Sequence, residues 1–196
     1  MALAKTQDIN VLTIQQVAAA GVVNSSVLNV EDYLELFIAV QIGRDNTTGL
    51  TVGVIVRIQG SPKSAGDDCW QDIRTYQTNI TAAADEAVSG TCNAGQATIA
   101  MAATAGFVVG DLILIKNSTI ANSEFHRVKT VTTNTSVVVD DTLTNAQTGS
   151  TCYDQAEKFV DIIPVISFCR LRIQIDNAGN ATPTIVAEAK ASAGTI

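Results

Sequence analysis

Tyr33-Leu34-Glu35-Leu36-Phe37-Ile38-Ala39-Val40-Gln41-Ile42 decides the fold. Leu34, Leu36, Ile38, Val40 and Ile42 fall on one face at a spacing of two residues. That period belongs to a strand with one buried side. Leu50-Thr51-Val52-Gly53-Val54-Ile55-Val56-Arg57-Ile58 follows after Asp45-Asn46-Thr47-Thr48-Gly49, whose residue types favour turns. The two stretches predict a hairpin. Towards the other end, Phe168 to Asp176 alternates again. Cys169, Leu171, Ile173 and Ile175 share one face; Arg170, Arg172, Gln174 and Asp176 share the other. A turn at Asn177-Ala178-Gly179-Asn180 and a last strand at Thr184 to Lys190 predict a second hairpin in the same sheet system. Phe159-Val160-Asp161-Ile162-Ile163-Pro164 reads as an edge strand, because proline brings no N–H to a ladder.

Working outward, Cys69 to Tyr76 reads as a strand or short turn, with Trp70 and Ile73 anchored to the core. Thr81 to Val88 reads as a helical turn or a connecting strand. From Cys92 the texture changes. Ala97 to Met101, Leu112 to Ile115, Glu124 to Val131 and Ser136 to Asp140 are short strands packed closely along the chain, the spacing of a small β-barrel or compact sheet. Gly110 suits a tight corner with positive φ, and Asp111 suits capping that turn. The expected class is all-β. An antiparallel, jelly-roll-like β-sandwich is formed by 31–90 and 153–196. A small β-barrel is inserted at 91–152, and 1–30 form an extended N-terminal arm. Ile9, Val11, Leu12 and Ile14 could add a strand to a neighbour or to the sheet edge. Val22, Val23, Val27 and Leu28 suit an extended strap, or a fold back onto the chain's own sandwich. These eight are the interface candidates.

Composition narrows the function. The chain has 196 residues, 46% hydrophobic and 16% charged, which excludes a disordered tail. Twelve basic against 19 acidic residues give a net charge of -7, against a nucleic-acid binder. The start is interrupted by Lys5, Gln7, Asp8 and Asn10, unlike a secretory signal. Val17 to Val23 is too short to span a bilayer. The expectation is assembly in a cytoplasm, with no membrane partner.

Chemistry is sparse. His126 is the only histidine, so any Ser/His/Asp triad would need it. No nucleophile elbow accompanies it, and it reads as a surface or interface histidine. Asp67-Asp68 and Asp140-Asp141 could hold calcium, but no EF-hand spacing surrounds them, and a solvated turn is the simpler reading. Gly106 to Asp111 lacks the lysine of a phosphate loop. Arg170 and Arg172 could bind an acidic partner, but pairing with Glu188 across strands is the expected reading. Trp70, Tyr33, Tyr76 and Tyr153 are the only platform offered for sugar stacking, at an aromatic content of 5%. The cysteines, Cys69, Cys92, Cys152 and Cys169, form no C-x-x-C pair. Cys92 and Cys152 bracket the insert, so a disulfide between them is open to this chain, though a reducing cytoplasm disfavours it. No enzymatic activity, cofactor or metal is expected.

Two patterns carry a resemblance. One is Gly95-Gln96-Ala97-Thr98-Ile99, then Gly106-Phe107-Val108-Val109-Gly110-Asp111-Leu112-Ile113-Leu114-Ile115, then Glu124-Phe125-His126-Arg127-Val128. The other is Arg170-Leu171-Arg172-Ile173-Gln174-Ile175-Asp176-Asn177. The first resembles the small β-barrel modules of tailed-phage head and tail proteins. The second is similar to the last strands of β-sandwich capsid-associated proteins. Together they cover about half of the chain. The resemblance implies a virion structural protein, above all a capsid decoration (cement) protein. Such a protein binds the major capsid protein and copies of itself, often as a homotrimer. A tail, neck or head-fibre component is the alternative within that class. A carbohydrate-binding adhesion module and an enzyme are the alternatives outside it.

Overall fold

The alternation that marks each strand also sets which of its faces is buried in the computed structural model, which describes residues 4–5, 9–45, 47–66, 69–181 and 184–195. The first strands are β1 (Ala4–Lys5), β2 (Ile9–Val17), β3 (Val22–Asn24), β4 (Leu28–Asn29), β5 (Glu35–Arg44), β6 (Ile55–Ser61) and β7 (Gln71–Gln77). A second group follows: β8 (Asp85–Ala87), β9 (Thr91–Cys92), β10 (Thr98–Ala100), β11 (Leu112–Lys116), β12 (Glu124–Thr132), β13 (Ser136–Val139), β14 (Gln147–Thr148) and β15 (Thr151–Tyr153). The chain ends with β16 (Glu157–Pro164), β17 (Arg170–Asp176) and β18 (Ile185–Thr195). The protein is all-β and antiparallel, as expected.

Two sheets form the sandwich. In sheet one, β18 is central. It pairs with β5 on one side and with β1 and β2 on the other, and β16 lies beyond β5. In sheet two, β17 is central, between β6 on one side and β3 and β4 on the other, and β7 lies beyond β6. Leu36, Ile38, Val40 and Ile42 of β5 share a core with Val56 and Ile58 of β6 and Leu171, Ile173 and Ile175 of β17. After Ile185, β18 contributes only alanines to that core: Ala187, Ala189, Ala191 and Ala193.

This arrangement corrects two expectations and decides another between its alternatives. Neither predicted hairpin exists, because β5 and β6 lie in opposite sheets, as do β17 and β18. Alternation shows which face is buried but not which strand lies alongside. Asn180, 1% exposed, ties the two sheet-crossing loops together. It accepts hydrogen bonds from the Thr51 and Val52 amides at 2.9 and 3.1 Å and donates to the Val52 carbonyl at 2.8 Å. Second, the segment expected as an extended N-terminal arm takes the alternative left open to it and folds onto the chain's own sandwich: β2 is part of sheet one, and β3 and β4 are part of sheet two. Third, Leu34 precedes β5 and is 40% exposed, so it leaves the buried face assigned to it.

The intervening strands run in the order β10-β13-β12-β11-β15-β8. A single bridge, Val88↔Met101, joins the two ends and curls the sheet into a small barrel. Its interior holds Ile99, Met101, Ile113, Ile115, Val128, Val137 and Cys152. The segment at 81–88 contains strand β8, which belongs to this sheet. Gly110 has φ 99°, and Asp111 accepts a 2.9 Å hydrogen bond from the Val108 amide, so this corner is built as its residues predict.

Candidate functional site

The barrel docks on the outward face of sheet one, and a missing side chain admits it. Gly43 on β5 lies opposite Val186 on β18. A Cβ at position 43 would lie 2.6 Å from Leu114 Cβ and 3.0 Å from Phe125 Cε1. Leu114, Tyr153, Ala83, Ala156 and Val186 form one buried cluster there, with Ile14 and Phe125 against it. Two residues along, Asp45 has a side chain only 2% exposed. It accepts from Lys116 Nζ at 2.9 Å, Gln16 Nε2 at 2.5 Å and Thr184 Oγ1 at 2.5 Å. One carboxylate thus joins β2, β5, barrel strand β11 and the approach to β18. Between these residues, buried Arg44 donates from Nη2 to the Asn79 carbonyl and Oδ1, at 2.5 and 2.7 Å.

Beside the dock lies a cleft of about 650 Å³. Asn10, Thr13, Glu188 and Lys190 line its sandwich side; Glu124, His126, Thr144 and Asn145 line its barrel side. Of the surface and interface readings of His126, the surface one does not hold: it is only 7% exposed and lines this cleft. Its Nε2 lies 3.0 Å from Glu124 Oε2, and its Nδ1 lies 4.0 Å from Asp140 Oδ1. Glu124 also accepts from the Thr144 amide (2.8 Å), the Asn145 amide (2.7 Å) and Gln147 Nε2 (3.0 Å). Burial pushes the Glu124 carboxyl up, but the bonds from His126, Thr144, Asn145 and Gln147 outweigh it and hold the pKa at about 2. The pair is a latch. It fastens the 144–147 loop to β12, and His126 supplies one of the donors.

The latch makes a pH-dependent contribution. Glu124 titrates lower in the folded chain than its ordinary 4.5. Its stabilisation is therefore complete above pH 4.5 and is lost as pH falls through 2. Glu124→Gln is expected to cost about 2 kcal/mol near neutrality, allowing for solvent screening. That gap to wild type should narrow by about half at pH 3. Urea midpoints at the two pH values measure it, and an equal gap at both would contradict the latch.

The interface candidates divide. Val11 and Leu12 are buried in the sandwich core at 3% and 4% exposure. Val23 and Leu28 pack against that core, and Ile14 packs against the dock. Ile9 is half-buried in β2. Only Val22 and Val27, at 49% and 47%, face outward. Cys92 and Cys152 share the barrel core as free thiols, with no bond between them. Burial first, then Cys92 and Glu86 nearby, push the Cys152 thiol up to about 12. The expected pairing of Arg170 and Arg172 with Glu188 is also replaced. Both guanidinium carbons lie over the Trp70 ring, at 5.0 and 4.3 Å. Arg172 donates to Gln59 (2.8 Å), and Glu188 instead meets Lys190 at 3.4 Å. The reason is topological: β17 and β18 are in different sheets. Trp70 is thus occupied by arginines, and Tyr76 is stacked on Phe159 at 5.2 Å. Asp140 caps its own turn, accepting from the Arg127 and Asp141 amides. Asp67 and Asp68 lie outside the described residues. Among the described residues, no three metal-ligating side chains converge, and no helix is long and apolar enough to cross a membrane.

Sequence reasoning missed a surface. Phe37, Val160 and Ile162 are 45%, 48% and 55% exposed on the outward face of sheet one. Their signal was present as apolar residues at the outward positions of two alternating strands.

No protein-family model matches the chain, and no curated protein matches it. The solved structures with a weak likeness to the chain include these three. The SPBc2 prophage-derived protein YomS has a TM-score of 0.32 at 7% identity, covering 98% of this chain and 96% of that one. VP17, a capsid protein of bacteriophage P23-77, has a TM-score of 0.23 at 6% identity, covering 100% and 98%. A chain of the infectious bursal disease virus Gx strain structure has a TM-score of 0.26 at 12% identity, covering 98% of this chain and 41% of that one.

Proposed function

We propose that this chain is a structural component of a phage virion, a head decoration protein that binds the outside of the capsid and stabilises contacts between capsomers. The observation that carries the reading is the stiff joint between barrel and sandwich. A clamp transmits load between neighbours only if its two lobes cannot swing. Here the apolar lock at Gly43 and the polar lock at Asp45 fix both lobes. The residues that bear the resemblance, 95–99, 106–115 and 124–128, supply β10, β11 and β12 of the docked barrel. The protein acts as a scaffold and needs no catalytic group. Its partners are the major capsid protein and further copies of itself.

The barrel also offers an attachment tip. Val108 and Val109, 60% and 62% exposed, stand between Gly106 and Gly110, both of positive φ. Adjacent exposed valines on a tight corner suit insertion into a shallow apolar pocket on the shell. Val108→Asp with Val109→Asp is expected to leave the unfolding midpoint unchanged and to weaken head binding at least about tenfold. Co-sedimentation with heads that lack the chain measures this.

The role itself is tested on particles of the phage that encodes the chain. The chain should be recovered from intact heads and labelled by antibody on their outer surface. Heads without it should open at a lower temperature. Label confined to the tail or neck would favour the other virion reading, and absence from particles would overturn both.

A further inference from the structure

The barrel covers only part of the outward face of sheet one. Around Gly43 and Val186 the face is buried under Leu114 and Phe125. Further along the same strands it is open. There Phe37 lies opposite Ile162, and Ala39 lies opposite Val160, in the β5–β16 register. Scattered exposed apolar side chains are ordinary, but a contiguous group on a sheet face marks a contact surface. The inner face of β16 is closed to such a contact. Asp161 accepts from the Tyr76 hydroxyl at 2.5 Å and from Arg74 Nε at 3.0 Å, and Phe159 stacks on Tyr76, so β16 is bridged to β7 on its inner side.

Charge is placed at the two ends of this open half. Glu35 sits at one end, in register with Pro164; Lys158 sits at the other, in register with Gln41. Both are exposed. The apolar rows lie between them, so the pattern on β5 and β16 reads acid, apolar, apolar, base; alongside on β18, Lys190 lies opposite Ala39 and Glu188 opposite Gln41, and these two charges pair with each other at 3.4 Å. The β5–β16 pattern becomes self-complementary under a half-turn about an axis lying in the face and perpendicular to the strands. That operation reverses the strand direction. It lays Phe37 and Ile162 of one copy over Ala39 and Val160 of the other. It also brings each Glu35 to the end where the other copy carries Lys158, one strand over, a lateral offset of about 4.8 Å that a lysine side chain spans.

We propose that this half-face is a two-fold self-contact, on which a second copy of the chain docks face to face. A contact of this kind is isologous, so each charge pair occurs twice. It goes beyond the decoration reading and stands without it, since it concerns the isolated chain.

The test is sedimentation equilibrium of the full chain over a concentration series, with charge-reversed variants. Wild type should fit a monomer–dimer equilibrium. Glu35→Lys alone, and Lys158→Glu alone, should each weaken dimerisation by about tenfold, because each places like charges at two symmetric positions. The double variant should return to within about threefold of wild type, since the pairs are re-formed with signs exchanged. Phe37→Ser should weaken it independently of charge. All of these positions are exposed, and an unchanged thermal midpoint shows that each variant is folded. A chain that stays monomeric at every concentration would overturn the proposal. So would a trimer, which a two-fold contact cannot build, or a double variant no better than the singles.

Discussion

Valine at position 43 is expected to lower the unfolding free energy by roughly 3 kcal/mol, at the upper end for overpacking a filled site. The obstruction is close to the backbone. The new Cβ would lie 2.6 Å from Leu114 Cβ, an atom that moves only if β11 moves. Leu114 has no exposed surface, so it has nowhere to retreat. Trimming Leu114 to alanine keeps that Cβ, and Gly43→Val with Leu114→Ala should therefore regain little. Urea unfolding of the three variants measures this. A Gly43→Val midpoint equal to wild type would mean that the barrel does not bear on the sheet as described.

Asp45→Ala should be nearly as damaging, at about 3 kcal/mol. It removes the acceptor of Lys116, Gln16 and Thr184 together and leaves their donors facing a space without a counter-charge. Asp45→Asn keeps the shape and one acceptor oxygen, so it should cost about half as much. Thermal or urea unfolding ranks the two. If alanine proved no worse than asparagine, the carboxylate would not be what joins the four segments.

Much of the sandwich is legible in the sequence because burial on one face of a strand forces a period of two. Leu36, Ile38, Val40 and Ile42, and likewise Leu171, Ile173 and Ile175, are core residues as their spacing predicts. Pairing is not legible in the same way. Residues 45–49 and 177–180 have the chemistry of chain reversal, and the strands that flank each of them lie in opposite sheets. Whether the chain returns in the same sheet or the opposite one depends on partners far along the chain, here β18 for β5 and β17 for β6. That same ambiguity led Arg170 and Arg172 to be matched with Glu188. Trp70, which they cover instead, is about a hundred residues away in sequence and carries no local signal of the contact. The dock was hidden for another reason. A glycine in a strand can mark a bulge or a close approach, and nothing near Gly43 names Leu114 as the side chain that arrives. The latch at Glu124 joins residues of β12 to a loop some twenty positions on, and only its β12 half, Glu124 and His126 at alternate positions, is visible locally.

The central place of β18 in sheet one has a kinetic consequence. β2 and β5 never touch each other in the ladder; each is held through β18. Sheet one therefore cannot assemble on a growing chain until residues 185–195 have been synthesised. The barrel, built from the contiguous segment 85–153, depends on no later residue for its own ladder. Its closure also brings Ala87 beside Thr151. That shortens the effective loop between β7 and β16, and with it the entropy lost when the distant halves of the sandwich meet. Domains generally fold as units during synthesis. The insert would then act as a folding clamp before it serves as anything else, and chains cut short before β18 would carry a finished barrel on an unformed sandwich.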